Sequence, residues 1–268
     1  MKRLVPSVAL LAIVAAAPAL ATPAIIKDGE LNVCTTAGFP PMTYKNDPSD
    51  ALPVGIDIDI VNKIAERWAV SVVYTVAEFS AMLPTLGSGR CDMIASGIYV
   101  TDKRREVYDA VKYMRSATVI ITQAGSDSIN APEDLSGREL ALESGTYYGE
   151  VRVDPLNAEL TKAGKTPVNV TNYPSQQAAY QQVMVGRADA TLTEEAEGAF
   201  RVAQTDGQLR IAYTWPSEFS YGFYVRRDDN DIAPLREIFK TLASEGFFDE
   251  LAAKWGVDPS VFDVDYDS

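Results

Sequence analysis

The chain contains no histidine among its 268 residues. That removes the usual general base and the commonest metal ligand, and it excludes Ser-His-Asp and Cys-His catalysis. Cations are scarce as well, 24 Lys and Arg against 37 Asp and Glu. So acidic a surface argues against nucleic acid and against anionic membrane as partners. Beyond the N-terminus no apolar run is long enough to span a bilayer. Only two cysteines occur, Cys34 and Cys91.

What is present begins with an export signal. Lys2 and Arg3 form a positive n-region, Leu4 to Ala17 an apolar h-region, and Ala19-Leu20-Ala21 a small-residue cleavage site. Residues 1–21 therefore read as a signal peptide, cleaved after Ala21 to release a soluble protein into the periplasm. No Cys follows the site, which argues against a lipid anchor. Loss of Lys2 and Arg3 leaves 22 cations against 37 anions, a net charge of −15. The oxidising compartment favours a Cys34–Cys91 bridge. Yet Cys34 lies late in one expected strand and Cys91 at the entry of another. Were those strands parallel neighbours, the offset could exceed the ~7 Å Cα limit. Spacing leaves the bridge open.

Strand and helix signals then alternate along the mature chain. Leu31 to Thr35 reads as a strand, broken by Gly38-Phe39-Pro40-Pro41. Gly55 leads into a helix with Ile60, Ile64, Ala65 and Trp68 on one face, and Ser71 to Val76 is the next strand. A short helix near Ala81 to Leu86 precedes a strand at Met93 to Ala95. A second set follows, with strands at Glu139 to Glu143, Val168 to Thr171 and Ala188 to Thr193 and a helix from Ser175 to Val185. Tyr221 to Arg226 is a late strand, and helices start at Ile232 and Phe247. Such alternation predicts an α/β fold with parallel sheets covered on both sides. The order of elements predicts two lobes joined by crossing strands near 118–125 and 214–224. One lobe is expected from 22–121 and 222–268, the other from 122–221.

The stretch DMIASGIYVTDKR, Asp92 to Arg104, carries the chemistry. Its strand ends at Ser96-Gly97, and Thr101 caps a helix with Arg104 in the first turn. Free N–H groups are expected at the carboxyl edge of the sheet, where open α/β sheets bind ligands. A first-turn cation opposes the helix dipole, so Arg104 is locally unfavourable unless an anion compensates it. On spacing alone, the plain alternative is a solvated Arg104 or an ion pair with Asp102 or Glu106.

Longer segments carry a resemblance: LNVCTTAGFPPMTY, GIDIDIVNKIAERW, EFSAMLPTLGSGRCDMIASGIYVTDKRREV, ESGTYY, GRADATLTEE and YGFYVRRDDNDIAPLREIFKTLASEGFFDELAAKWG. In this order the chain resembles the periplasmic solute-binding proteins of polar amino-acid ABC importers, family 3, from about Ile25 to Trp255. The resemblance implies a two-lobed, hinge-bending monomer that binds a small zwitterion without cofactor or metal. It also implies delivery of that ligand to an inner-membrane ABC permease. It assigns Arg104 to the ligand carboxylate, the Gly97 carbonyl to the ammonium, and N–H groups of Gly145, Thr146 and Tyr147 to the carboxylate. Glu194 would hold the amino group, one methylene longer than the family's usual Asp.

Two departures bear on the ligand. The residue five before the Arg is often Ser and here is Tyr99, and the first-loop acid of some basic-amino-acid binders is here Thr36. Phe39, Phe79 and Tyr99 all follow first-lobe strands, so their rings are expected to face one point. Tyr99 resembles the family's ectoine-type binders, in which aromatics box a delocalised cation. Singly, each ring reads as core packing and Glu194 as a solvated strand end; jointly they read as a site. The alternative is an enzyme. Cyclohexadienyl dehydratases, which act on prephenate or arogenate, share the fold and resemble this chain at CTT, GIDID and GRCD. Glu197 would match their general acid, whereas Gly38, Pro40 and Phe79 stand where those enzymes have Asp, Lys and Trp.

Overall fold

The computed structural model describes residues 23–227 and 231–268. The expected signal peptide, 1–21, lies outside them. Two five-stranded sheets organise the chain. The first holds β1 (Glu30–Thr35), β4 (Ser71–Val76), β5 (Met93–Ile94), β6 (Tyr108–Ser116) and β12 (Phe219–Arg226), in the order β4-β1-β5-β12-β6. The second holds β7 (Thr118–Gln123), β8 (Glu139–Glu143), β9 (Asn169–Tyr173), β10 (Ala190–Glu194) and β11 (Leu209–Thr214), in the order β11-β7-β10-β8-β9. A small hairpin, β2 (Gly38–Phe39) with β3 (Thr43–Tyr44), stands beside them. The chain changes sheet at Ala117 and again between Thr214 and Phe219. Two lobes result, and β12 comes late in the chain to join the first.

The sheets are mixed, which departs from the all-parallel expectation. β1 runs parallel to β4 and β5, and β8 parallel to β9 and β10. β12 runs antiparallel to β5 and β6, and β7 antiparallel to β10 and β11. The reason is connectivity. A strand that enters its sheet from the other lobe arrives from the opposite end to one fed by a crossover helix.

Helix α1 (Ile56–Trp68) shows how local signals set the elements. Its apolar residues fall at helical spacing, and Ile56, Ile60, Ile64 and Trp68 are buried against the first sheet's core. Asp57 and Asp59 sit in its first turn and Arg67 in its last, matching the dipole. Gly55 is its N-cap, and glycine is required there because a Cβ would stand 2.1 Å from the Met42 carbonyl oxygen. At the far end of the chain, α7 (Ile232–Ser244) packs on β6 and α8 (Phe247–Trp255) on α1.

The cysteines are bridged, with Cα atoms 5.8 Å apart. β1 and β5 are indeed parallel neighbours, with Cys34 opposite Ile94. The bridge forms because Cys91 is not in the strand. It lies in the bend between α2 (Met82–Gly87) and β5, where the chain folds back toward β1.

Candidate functional site

The carboxyl ends of the parallel strands in both sheets converge on a cavity of about 330 Å³. From the first lobe come Phe39 after β1, Glu78 and Phe79 after β4, and Gly97, Tyr99 and Arg104 after β5. From the second come Glu143 at the end of β8, Ser175 and Gln176 after β9, and Glu194 at the end of β10. Thr146, Tyr147 and Tyr148 complete that wall. Eight of the nine residues singled out in the sequence therefore line one cavity: Phe39, Phe79, Gly97, Tyr99, Arg104, Thr146, Tyr147 and Glu194. Gly145 stands just behind them, and its carbonyl accepts a hydrogen bond from Arg104 Nη2 at 3.3 Å.

Arg104 sits in α3 (Asp102–Arg105), capped by the Thr101 hydroxyl as its sequence predicts. The helix is only one turn long, so its dipole is small and is not what constrains the arginine. The guanidinium is held instead by the Tyr99 carbonyl at 2.8 Å and by Gly145 across the cleft, with its carbon 5.9 Å from the Phe79 ring centre. It bonds neither Asp102 nor Glu106 among the described contacts. Both carbonyls are neutral, so its charge is left for an anion in the cavity.

Gly97 has φ +56°, and a Cβ there would meet the Phe39 ring at 2.5 Å. Its N–H donates to Asp57 Oδ2 at 2.7 Å, and the Tyr113 hydroxyl donates to the other oxygen of Asp57. Asp57 is fully buried, and burial pushes its carboxyl up to about 7. The first turn of α1 thus pins the turn that borders the ligand space.

The two departures noted in the sequence meet in space. The Tyr99 hydroxyl donates to Glu194 Oε2, and the Tyr147 hydroxyl lies 3.2 Å from Oε1. The extra methylene of Glu194 and the ring of Tyr99 span the distance that a shorter Asp and a Ser would leave open. Glu194 is 1 % exposed, and burial pushes its carboxyl up to about 8 despite these donors. The three rings border one cavity but play different parts. Tyr99, 3 % exposed, stacks on Tyr221 at 4.7 Å and meets the Tyr147 ring edge at 4.8 Å. Phe39 sets its edge against Tyr221, while Phe79 underlies Arg104.

The sequence pattern did not single out Glu78, Glu143, Tyr148, Ser175 or Gln176. Position at the carboxyl end of a strand was the available signal for Glu143. Ser175 is an N-cap whose hydroxyl accepts from the Ala178 N–H, legible as Ser before a helical run. Burial raises the Glu143 carboxyl to about 8, helped by the nearby charges of Glu197 and Glu78. Glu197 itself is off the cavity wall. It is 0 % exposed, takes the Thr193 hydroxyl, and pairs with Arg201 at 3.3 Å.

The lobes touch around the cavity. Besides Tyr99–Glu194 and Arg104–Gly145, Lys103 pairs with Glu150 at 3.0 Å, Arg201 Nη2 reaches the Gly38 carbonyl at 3.4 Å, and Tyr44 meets Phe200. The arrangement is closed. Among the described residues no cluster of acidic residues and cysteines is built to hold a metal ion, and no helix is long and apolar enough to cross a membrane.

The chain is similar to proteins named for the amino acid they bind over most of its length. It is 28% identical over 246 residues to the L-arginine-binding protein of Pseudomonas aeruginosa, covering 88% of this chain and 91% of that one. It is 25% identical over 235 residues to the L-cystine-binding protein of Bacillus subtilis, covering 86% and 82%. An ancestral arginine-binding protein bound to arginine superposes with a TM-score of 0.77 at 27% identity, covering 85% of this chain and 98% of that one. Residues 31–258 match the family model of the bacterial extracellular solute-binding proteins, family 3, and the chain belongs to that family.

Proposed function

We propose that this protein captures an amino-acid-type zwitterion between its lobes outside the cytoplasm and presents it to an ABC permease. One observation carries the reading. A part-buried guanidinium with no carboxylate partner among the described residues, Arg104, faces a cavity whose other walls bear carboxylates and aromatic rings. A zwitterion needs a cation for its carboxylate, an acceptor for its amine and walls that exclude water. Arg104 takes the carboxylate, with N–H groups of the Gly145-Thr146-Tyr147 turn beside it. The lobes exchange at Ala117 and at 215–218, a few residues from the boundaries at 121 and 222 expected from the sequence, and these two crossings act as the hinge. Relatives named for arginine and cystine support an amino acid as the solute class. A signal peptide cleaved after Ala21 and a monomeric state complete the proposal.

A ligand with a substituted cation, of the ectoine or betaine type, receives less support. Cation–π capture needs an open ring face, and Tyr99 commits one face to Tyr221 and its hydroxyl to Glu194. Catalysis of the dehydratase kind is also disfavoured, because Glu197 is spent on Arg201 and Thr193 away from the cavity. A thermal-shift screen over amino acids, betaines, ectoines and polyamines tests the proposal, since a bound ligand raises Tm by mass action. An amino acid should give the largest shift. No shift from any member, or aromatic product from prephenate, would overturn it.

A further inference from the structure

We infer that the ligand carries a second cationic group, on its side chain, and that Glu143 and Glu78 hold it from opposite lobes. The solute class is then an amino acid with a positively charged side chain. This deepens the proposed function and rests on it.

Charge within the cavity leads to the inference. One guanidinium, Arg104, faces three carboxylates, Glu78, Glu143 and Glu194. Burial keeps Glu143 and Glu194 largely protonated near neutral pH when no cation faces them; an amino acid with a neutral side chain brings one charge of each sign and offers no second cation that would let Glu143 ionise. Glu194 has its own partners, since one oxygen accepts from Tyr99 and the other stands within reach of the Tyr147 hydroxyl. Glu143 has a backbone N–H, that of Gln176, rather than a phenol cage. Glu78 adds a like charge from the first lobe, close enough to raise the Glu143 carboxyl.

Two carboxylates approaching from opposite walls of a closed cleft repel each other unless one is protonated or a cation stands between them. A ligand cation at that place turns the repulsion into two attractions, and does so only when the lobes are closed. Its binding therefore favours the closed state. Apolar walls at Phe39, Phe79 and Pro174 suit the methylene stem that would carry the charge from Arg104 toward Glu143.

The test is calorimetry with L-arginine and L-citrulline, which match in length and differ in side-chain charge. The mature chain should bind arginine about tenfold or more tighter than citrulline, the scale of one desolvated charge pair. In Glu143→Gln that ratio should fall toward one, with the Tm of the unliganded protein unchanged or raised, because folding no longer has to bring a carboxyl into a site that forces it to take up a proton. Glu78→Gln should lower the ratio in the same sense and stands in if Glu143→Gln fails to fold. Glu194→Gln should leave it in place. Equal binding of both probes by the wild type, or binding only of a betaine or ectoine, overturns the inference while the solute-binding function stands. A preference lost in Glu194→Gln but kept in Glu143→Gln overturns it too. Binding of no probe and no screen member overturns both.

Discussion

Replacing Arg104 by Met keeps the length of the side chain and removes its charge. In the structure the guanidinium donates to the Tyr99 carbonyl at 2.8 Å and to Gly145 at 3.3 Å. The first acceptor is not orphaned by the change, because the Tyr224 hydroxyl also donates to it at 2.7 Å. The second is at the rim of the cleft and can turn to water. The cost to folding is therefore about 1 kcal/mol, one ordinary hydrogen bond. Dipole reasoning alone expects no cost or a gain, but a one-turn helix has little dipole to relieve. The cost to binding is larger. A ligand carboxylate enclosed in the cavity loses its only cationic partner, worth about 3 kcal/mol, or roughly a hundredfold or more in Kd. Denaturant unfolding reads the first quantity and calorimetry with the ligand identified by thermal shift reads the second. An unchanged Kd would refute the role of Arg104, whatever happens to stability.

Three further outcomes follow from the same geometry. The carboxyls of Asp57 and Glu197 are raised to about 7 and those of Glu143 and Glu194 to about 8, so the folded protein holds protons that the unfolded chain releases near pH 4. Their contribution is complete below about pH 4 and is lost progressively as pH rises from there through the folded values of about 7 to 8. The Tm of the empty protein should fall between pH 6 and pH 9, and a flat profile would contradict these shifts. Gly97→Ala forces a Cβ to within 2.5 Å of the Phe39 ring at φ +56°; it should cost about 1–3 kcal/mol of stability and weaken ligand binding, both read by titration. The Cys34–Cys91 bridge closes a loop of 57 residues' separation, so a double Cys→Ala variant should lose about 4 kcal/mol in denaturant unfolding, and an equal midpoint would count against the bridge.

The sequence by itself determined the family, much of the order of elements and eight residues of the cavity wall. Apolar spacing in α1, the Thr101 cap and the turns at Gly97 and Gly145 act within a few residues of each other, so they can be read without the fold. Once strands alternate with helices, the carboxyl ends of those strands must share an edge, and Phe39, Phe79 and Arg104 follow.

Tertiary structure alone decided what those residues do to one another. Tyr99 and Glu194 lie 95 residues apart, and nothing local announces that a longer acid and a larger ring are two halves of one contact. Glu78 and Glu143 look like ordinary polar residues after strands until the lobes close and set them across a single cavity. The antiparallel course of β7 and β12 and the reach of Cys91 back to β1 likewise depend on connectivity and on where a bend lies in space. Propensity and periodicity are properties of neighbours along the chain; charge balance, burial and side-chain partnership are properties of neighbours across it, and only folding chooses those.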